Sequence, residues 1–145
     1  MKTLIVSSFD ISGGAARAAY RLHQGFQSIN IDSQILVQEK FSDDQTVIGP
    51  TKKLTQGLAR SRWTFGALPQ KLYPQREDKT FSSQWFPDAV VPKVARLKPD
   101  IINLHWICAG YVQIETIGKL KRPIVWTLHD MWPFTGGCQI GRAHV

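Results

Sequence analysis

Leu4-Ile5-Val6-Ser7-Ser8, then Asp10-Ile11-Ser12-Gly13-Gly14, then the run Ala15 to Ser28, then Ile35-Leu36-Val37 is the stretch that decides the fold. Leu4-Ile5-Val6 is apolar without alternation, which marks a strand buried on both faces of a parallel sheet. Asp10 to Gly14 is a turn-rich loop. Ala15 to Ser28 reads as a helix. Its expected apolar stripe is Ala15, Ala18, Leu22, Phe26 and Ile29, and its expected wet face is Arg17, Arg21, Gln24 and Ser28. Ile35-Leu36-Val37 supplies a second strand. Strand, glycine loop, helix, strand is the βαβ unit of a doubly wound sheet.

Outward from that unit, Val47-Ile48 reads as a short strand. Lys52 to Arg76 holds six basic residues and no acidic one. Trp63, Phe65, Leu68, Leu72 and Tyr73 are interleaved, with Pro69 and Pro74 as breakers, so a broken helix plus loop is predicted. Val91, Val94 and Leu97 predict a short helix with Pro92 in its first turn, where proline is tolerated. Ile101 to Leu104 reads as a strand ending at His105-Trp106. Ile114, Ile117 and Leu120 mark a further helix, and Ile124 to Leu128 a last strand ending at His129-Asp130. Strands alternate with helices, which predicts an α/β fold with a parallel sheet and flanking helices.

The chain has 145 residues, the size of one domain or a large part of one. Its 43% hydrophobic content excludes a disordered tail. Its longest apolar runs fall far short of the ~20 residues that a membrane span needs. Eighteen Lys and Arg against eleven Asp and Glu leave +7, with a pI of about 9.7. Such a charge points to an anionic partner. Two cysteines, Cys108 and Cys138, make no disulfide framework and point to a reducing compartment. The apolar run after Met1-Lys2-Thr3 is too short for a signal-peptide core. The chain is therefore expected to be cytoplasmic.

Ligands of open parallel sheets bind outside the carboxyl ends of the strands. Three loops leave those ends with useful residues: Ser7 to Gly14, His105-Trp106, and His129 to Gly137. Gly13-Gly14 ahead of a helix can bring backbone N–H groups to an anion. Arg17, a cation in the first turn, opposes the helix dipole, and an anionic ligand would explain it. The glycines equally fit a tight turn with Arg17 solvated. His129 at a strand end is a candidate proton handler or hydrogen-bond donor. It also fits a structural histidine bonded to a loop carbonyl. Trp106 beside His105 can stack on a sugar or base, although tryptophan more commonly packs in a core. No metal-ligand spacing supports a site built from His105, His129, Asp130 and Cys138.

Three segments carry a family resemblance. They are Gly13 to Leu22, Pro99 to Trp106, and, longest and most specific, Thr127-Leu128-His129-Asp130-Met131-Trp132-Pro133-Phe134-Thr135-Gly136-Gly137-Cys138. In this order they resemble the N-terminal domain of a family-4 glycosyltransferase of the GT-B fold. The resemblance spans about Lys2 to Cys138 and is weakest from Gln45 to Phe86. It implies a hexosyltransferase-type enzyme. A sugar would pass, with retention, from a nucleotide-sugar donor to a hydroxyl of a sugar or lipid-linked acceptor, in cell-surface polysaccharide or glycolipid synthesis. It implies His129 beside the reacting sugar and Gly13-Gly14 at the donor diphosphate. Arg17, His105, Trp106, Asp130 and Gly136 are further candidate substrate-binding residues. No metal or other cofactor and no nucleic acid enters that scheme. Lys52, Lys53, Arg60, Arg62 and Trp63 are candidates for peripheral contact with the inner face of the membrane.

The C-terminal donor domain of that family, with its glutamate pair, is absent. The fragment alone is therefore expected to be inactive. Residues 1–138 read as a partial acceptor-side domain. The likeness stops after Cys138. Ile140 to Val145 can be read as a translation of a common short-read sequencing adapter, ATC GGA AGA GCA CAC GTC, the alternative being a real tail. Residues 139–145 are therefore expected to be a non-native tail, with Arg142 and His144 carrying no function. The competing function is a non-catalytic nucleotide- or sugar-binding module. An NAD-dependent oxidoreductase, with Glu39 in the role of the ribose-binding acid, is disfavoured because G-x-G-x-x-G is missing after the first strand.

Overall fold

The structure is a computed structural model that describes residues 1–50, 53–66, 68, 81–136 and 138–139. The described residues form an α/β unit on one five-stranded sheet whose strand pairs are all parallel. The elements in chain order are β1 (Lys2–Phe9), α1 (Gly14–Ser28), β2 (Asp32–Glu39), β3 (Val47–Ile48) and α2 (Lys53–Gly66). They continue with α3 (Val90–Leu97), β4 (Ile101–Leu104), α4 (Ile114–Lys119), β5 (Ile124–Trp126) and α5 (Trp132–Thr135). The sheet order is β3-β2-β1-β4-β5. Direction of travel reverses between β1 and β4, as in a Rossmann-like sheet.

Register explains the core. Ile5 pairs with Ile35, and Val6 with Leu36. Leu4 pairs with Ile102, and Val6 with Leu104. Alternation then sends Leu4, Val6, Leu36, Ile102 and Leu104 to one face, where Val90 and Val94 of α3 cover them. Ile5, Ile35 and Val37 go to the other face, under Ala19, Leu22 and Phe26 of α1. Helices on both faces fit the near-continuous apolar character of β1 and β2.

The strands and helices predicted from sequence are present, with three corrections. The buried face of α1 is Ala16, Ala19 and His23, while Ala18 and Ile29 face water. His23 turns inward because Ser33 and Thr46 satisfy both its nitrogens, so a polar residue sits on the packed face. Ile114 of α4 is exposed and Thr116 is buried in its place, while Ile117 and Leu120 pack against the core as expected. Asp88 orients that helix by accepting from Gln113 N–H at 2.7 Å and from the Thr116 hydroxyl at 2.6 Å. β5 ends at Trp126 rather than Leu128. Its last rung is Thr127 N–H donating to Leu104 O at 2.8 Å, after which the chain leaves the ladder.

The helix predicted within Lys52–Arg76 is present as α2, which starts at Lys53. Lys52 and residues 69–80, with Leu72, Tyr73 and both prolines of that stretch, lie outside the described residues. No described helix is long and apolar enough to cross a membrane.

Candidate functional site

A cleft of about 550 Å³ opens where the sheet order reverses, beyond the carboxyl ends of β1 and β4. Phe9, Ser12, Gly13, Gly14, Trp106, His129 and Asp130 are among the residues that line it. Three segments far apart in sequence converge there because β1 pairs with β4 and β4 with β5.

The glycine wall comes from the start of α1. Gly13 is its N-cap with φ +90° and ψ 169°, a region essentially reserved for glycine. It offers no side-chain acceptor to the first-turn N–H groups, and Gly14, Ala15 and Ala16 line the cleft. Those orphan N–H groups form a ready site for an oxyanion. Gly14 is instructive. Its φ is not positive, and no atom lies within 4 Å of where a Cβ would stand. Neither conformation nor packing calls for glycine there, whereas the close approach of a ligand would.

The opposite wall is a set of paired side chains. Trp106 stacks on Phe9 with ring centroids 5.8 Å apart. Its Nε1 donates to Asp130 Oδ2 at 2.8 Å, and Asp130 Oδ1 accepts from Trp132 N–H at 3.0 Å. Both oxygens of Asp130 are thus engaged. His129 Nε2 lies 2.9 Å from His105 Nδ1. Burial pushes His105 down to about 4, and the neighbouring His129 pushes in the same direction. Burial also lowers His129, opposed by Asp130. Both imidazoles are therefore neutral at neutral pH. Cys108 lies behind the pair, and burial pushes its thiol up, so it stays protonated. Among the described residues no three His, Cys, Asp or Glu side chains converge to hold a metal ion.

Of the residues singled out from sequence, Gly13, Gly14, Trp106, His129 and Asp130 come together around the cleft. His105 does not line it but sits behind His129. Arg17 is exposed on α1 and does not reach the lining. Gly136 is the left-handed cap after α5, with φ +69°, also outside the lining. Gln139, assigned from sequence to the tail, lines the cleft, while residues 140–145 lie outside the described residues. Gly137 lies outside them as well.

The membrane candidates divide. Lys53 is exposed. Arg60 is exposed too, with Nε 3.5 Å from Glu39 Oε2. Glu39 thereby has a cationic partner and lines a separate hollow with Arg60. Arg62 is drawn inward. It donates to Gly110 O at 2.9 Å and to Pro87 O, and it lies over the Phe86 ring at 5.0 Å. Its cation ties together the loops that carry Gly110 and Pro87. Trp63 lies in α2, and its side chain is outside the described residues.

Sequence reasoning missed Phe9 as a wall of the cleft. It also missed the His105–His129 and Trp106–Asp130 pairings. The signal was the spacing, since both pairs are 24 residues apart. That offset becomes meaningful only once β4 is set beside β5. Comparison with known proteins finds no match, whether among family models, curated proteins or solved structures.

Proposed function

We propose that this cleft serves retaining transfer of a sugar from a nucleotide-sugar to a hydroxyl of a sugar or lipid-linked acceptor. The observation that carries the reading is the meeting, in one cleft at the sheet's reversal point, of a helix start without a side-chain cap at Gly13-Gly14 with His129 and Trp106. Each part suits a part of such a ligand. Backbone N–H groups and a helix N-terminus suit a diphosphate. A neutral imidazole suits a sugar hydroxyl, and an aromatic ring suits a sugar or base face. Stabilising the departing diphosphate is electrostatic catalysis and needs no side-chain nucleophile. The likeness of Thr127–Cys138 to family-4 glycosyltransferases supports the same reading.

The test is turnover by the whole gene product with nucleoside-diphosphate sugars and an oligosaccharide or lipid-linked acceptor. His129→Ala is expected to lower turnover about 100-fold, the size of losing one well-placed donor, while the melting temperature holds. Equal turnover would overturn the role of His129. A second reading is a nucleotide- or sugar-binding module without catalysis. The engagement of both Asp130 oxygens favours it, because no other carboxylate lines the cleft among the described residues. Saturable binding with no transfer to any acceptor would establish that reading instead.

A further inference from the structure

His105 follows β4, and its N–H donates to Val6 O at 2.9 Å, which pins it between β4 and β1. It is 3% exposed. Its ring stacks on that of His129 with centroids 5.1 Å apart and planes at 30°. Nδ1 faces His129 Nε2 at 2.9 Å, and its own Nε2 is buried with no hydrogen-bond partner among the described residues. His129 is exposed to the cleft. Its Nδ1 makes no hydrogen bond among the described residues.

Two facing imidazole nitrogens must share one proton. With none, lone pair meets lone pair, and with two, N–H meets N–H. In the neutral pair the proton has two places to sit. On His129 Nε2, it obliges His105 to carry its own proton on Nε2, a sealed N–H without an acceptor. On His105 Nδ1, it leaves a bare lone pair at Nε2. Both arrangements cost free energy, but orphaned buried N–H groups are the rarer in native proteins. Cys108 and Asp130 are the other titratable groups lining the hollow around the pair, and both carboxylate oxygens of Asp130 are taken.

We propose that His105 is a positioning residue that sets the tautomer of His129: His105 Nδ1–H donates to His129 Nε2, so His129 keeps its proton on Nδ1 and offers the cleft one hydrogen-bond donor. The ligand group it suits is an uncharged or anionic oxygen, such as a hydroxyl, carbonyl or phosphate oxygen. A cationic or donor-only group is turned away. The proposal stands whether the cleft transfers a sugar or only binds one.

A tautomer is read directly by the protonation of each ring nitrogen, so the test is spectroscopic. Two-bond proton–nitrogen correlations on the ¹⁵N-labelled full chain at pH 7.5 report the tautomer, with His129→Gln assigning the signals. The expected pattern is a protonated Nδ1 and an unprotonated Nε2 on His129. In His105→Phe, which keeps a ring but removes the donor, the His129 proton is expected to move in large part to Nε2, the usual form in water. A wild-type spectrum with the proton on Nε2 overturns the proposal. So does a folded His105→Phe with the wild-type pattern. If that variant does not fold, the wild-type spectrum alone decides.

Discussion

Among the described residues two histidines are buried, in regions of opposite character. His23 lies under α1 and is fully buried. Its Nδ1 is 2.8 Å from the Ser33 hydroxyl and its Nε2 2.7 Å from the Thr46 hydroxyl. Thr46 in turn donates to Asp44 Oδ1 at 2.6 Å, and Tyr20 donates to Asp44 Oδ2 at 2.8 Å. Each hydroxyl turns its one proton as required: Thr46 gives its own to Asp44 and accepts from His23 Nε2–H, while Ser33 donates to Nδ1, so both nitrogens of His23 are served. Among the described residues the ring of His105, behind the cleft, has one hydrogen-bond partner, and that partner is another imidazole. An imidazole cannot adapt in this way, and the second nitrogen of His105 goes unserved. A satisfied network contributes stability, whereas a half-satisfied one beside a cleft costs stability and points to function.

The largest expected effect that would sharpen this contrast is acid destabilisation. Burial pulls both histidines below their ordinary value of 6.5, His105 to about 4. The unfolded chain therefore binds protons first as pH falls. The histidine contribution should be full above about pH 6.5 and decline as pH falls towards 4, below which Asp10 and Asp44, whose carboxyls, despite burial, are held below the ordinary value by hydrogen bonds, continue the loss. His105 alone contributes roughly 3 kcal/mol to that decline. Urea unfolding followed from pH 7.5 to 4.5 checks it. A flat profile would mean that neither histidine is buried neutral.

Next in size is His23→Leu. Losing two hydrogen bonds is expected to cost about 2 kcal/mol, read as a lower urea midpoint. Ligand affinity at the cleft should not change in the remaining folded protein. A matching loss of affinity would break the separation between the two regions. The smallest effect on stability is expected from Gly14→Ala. Open space and an ordinary φ leave the fold indifferent, and alanine is the better helix former, so stability should stay level or rise by up to ~1 kcal/mol. The added methyl occupies the approach to the first-turn N–H groups. Affinity for a phosphate-bearing ligand, measured by titration calorimetry, should fall at least several-fold. Unchanged affinity would take the glycine wall out of the site.

Much of the fold was legible in the chain. Leu4-Ile5-Val6, Ile35-Leu36-Val37 and Ile101–Leu104 announce buried parallel strands, because such strands need no polar alternation. The rotation of α1 was less legible. Helical spacing fits Ala15–Ala18–Leu22 as well as Ala16–Ala19–His23, and hydropathy favours the first. The second prevailed because Ser33 and Thr46 were waiting beneath His23, and no local pattern reveals a partner on another strand. Arg62 teaches the same lesson. A cation among aromatics suggested a surface role, yet Gly110 O and Pro87 O, from distant loops, draw it inward.

The sequence by itself determined the alternation of strands and helices, the glycine start of α1, and the chemical types gathered at strand ends. These follow from backbone periodicity and turn chemistry, which act over a few residues. Only the tertiary structure decided which of those residues meet. Ile102 sets itself opposite Ile124 and Leu104 opposite Trp126. That register carries His129 to His105 and Asp130 to Trp106. Pairing between strands is a long-range choice made by side chains packing on both faces at once. Its consequences at the cleft are therefore properties of the folded sheet and of no single segment.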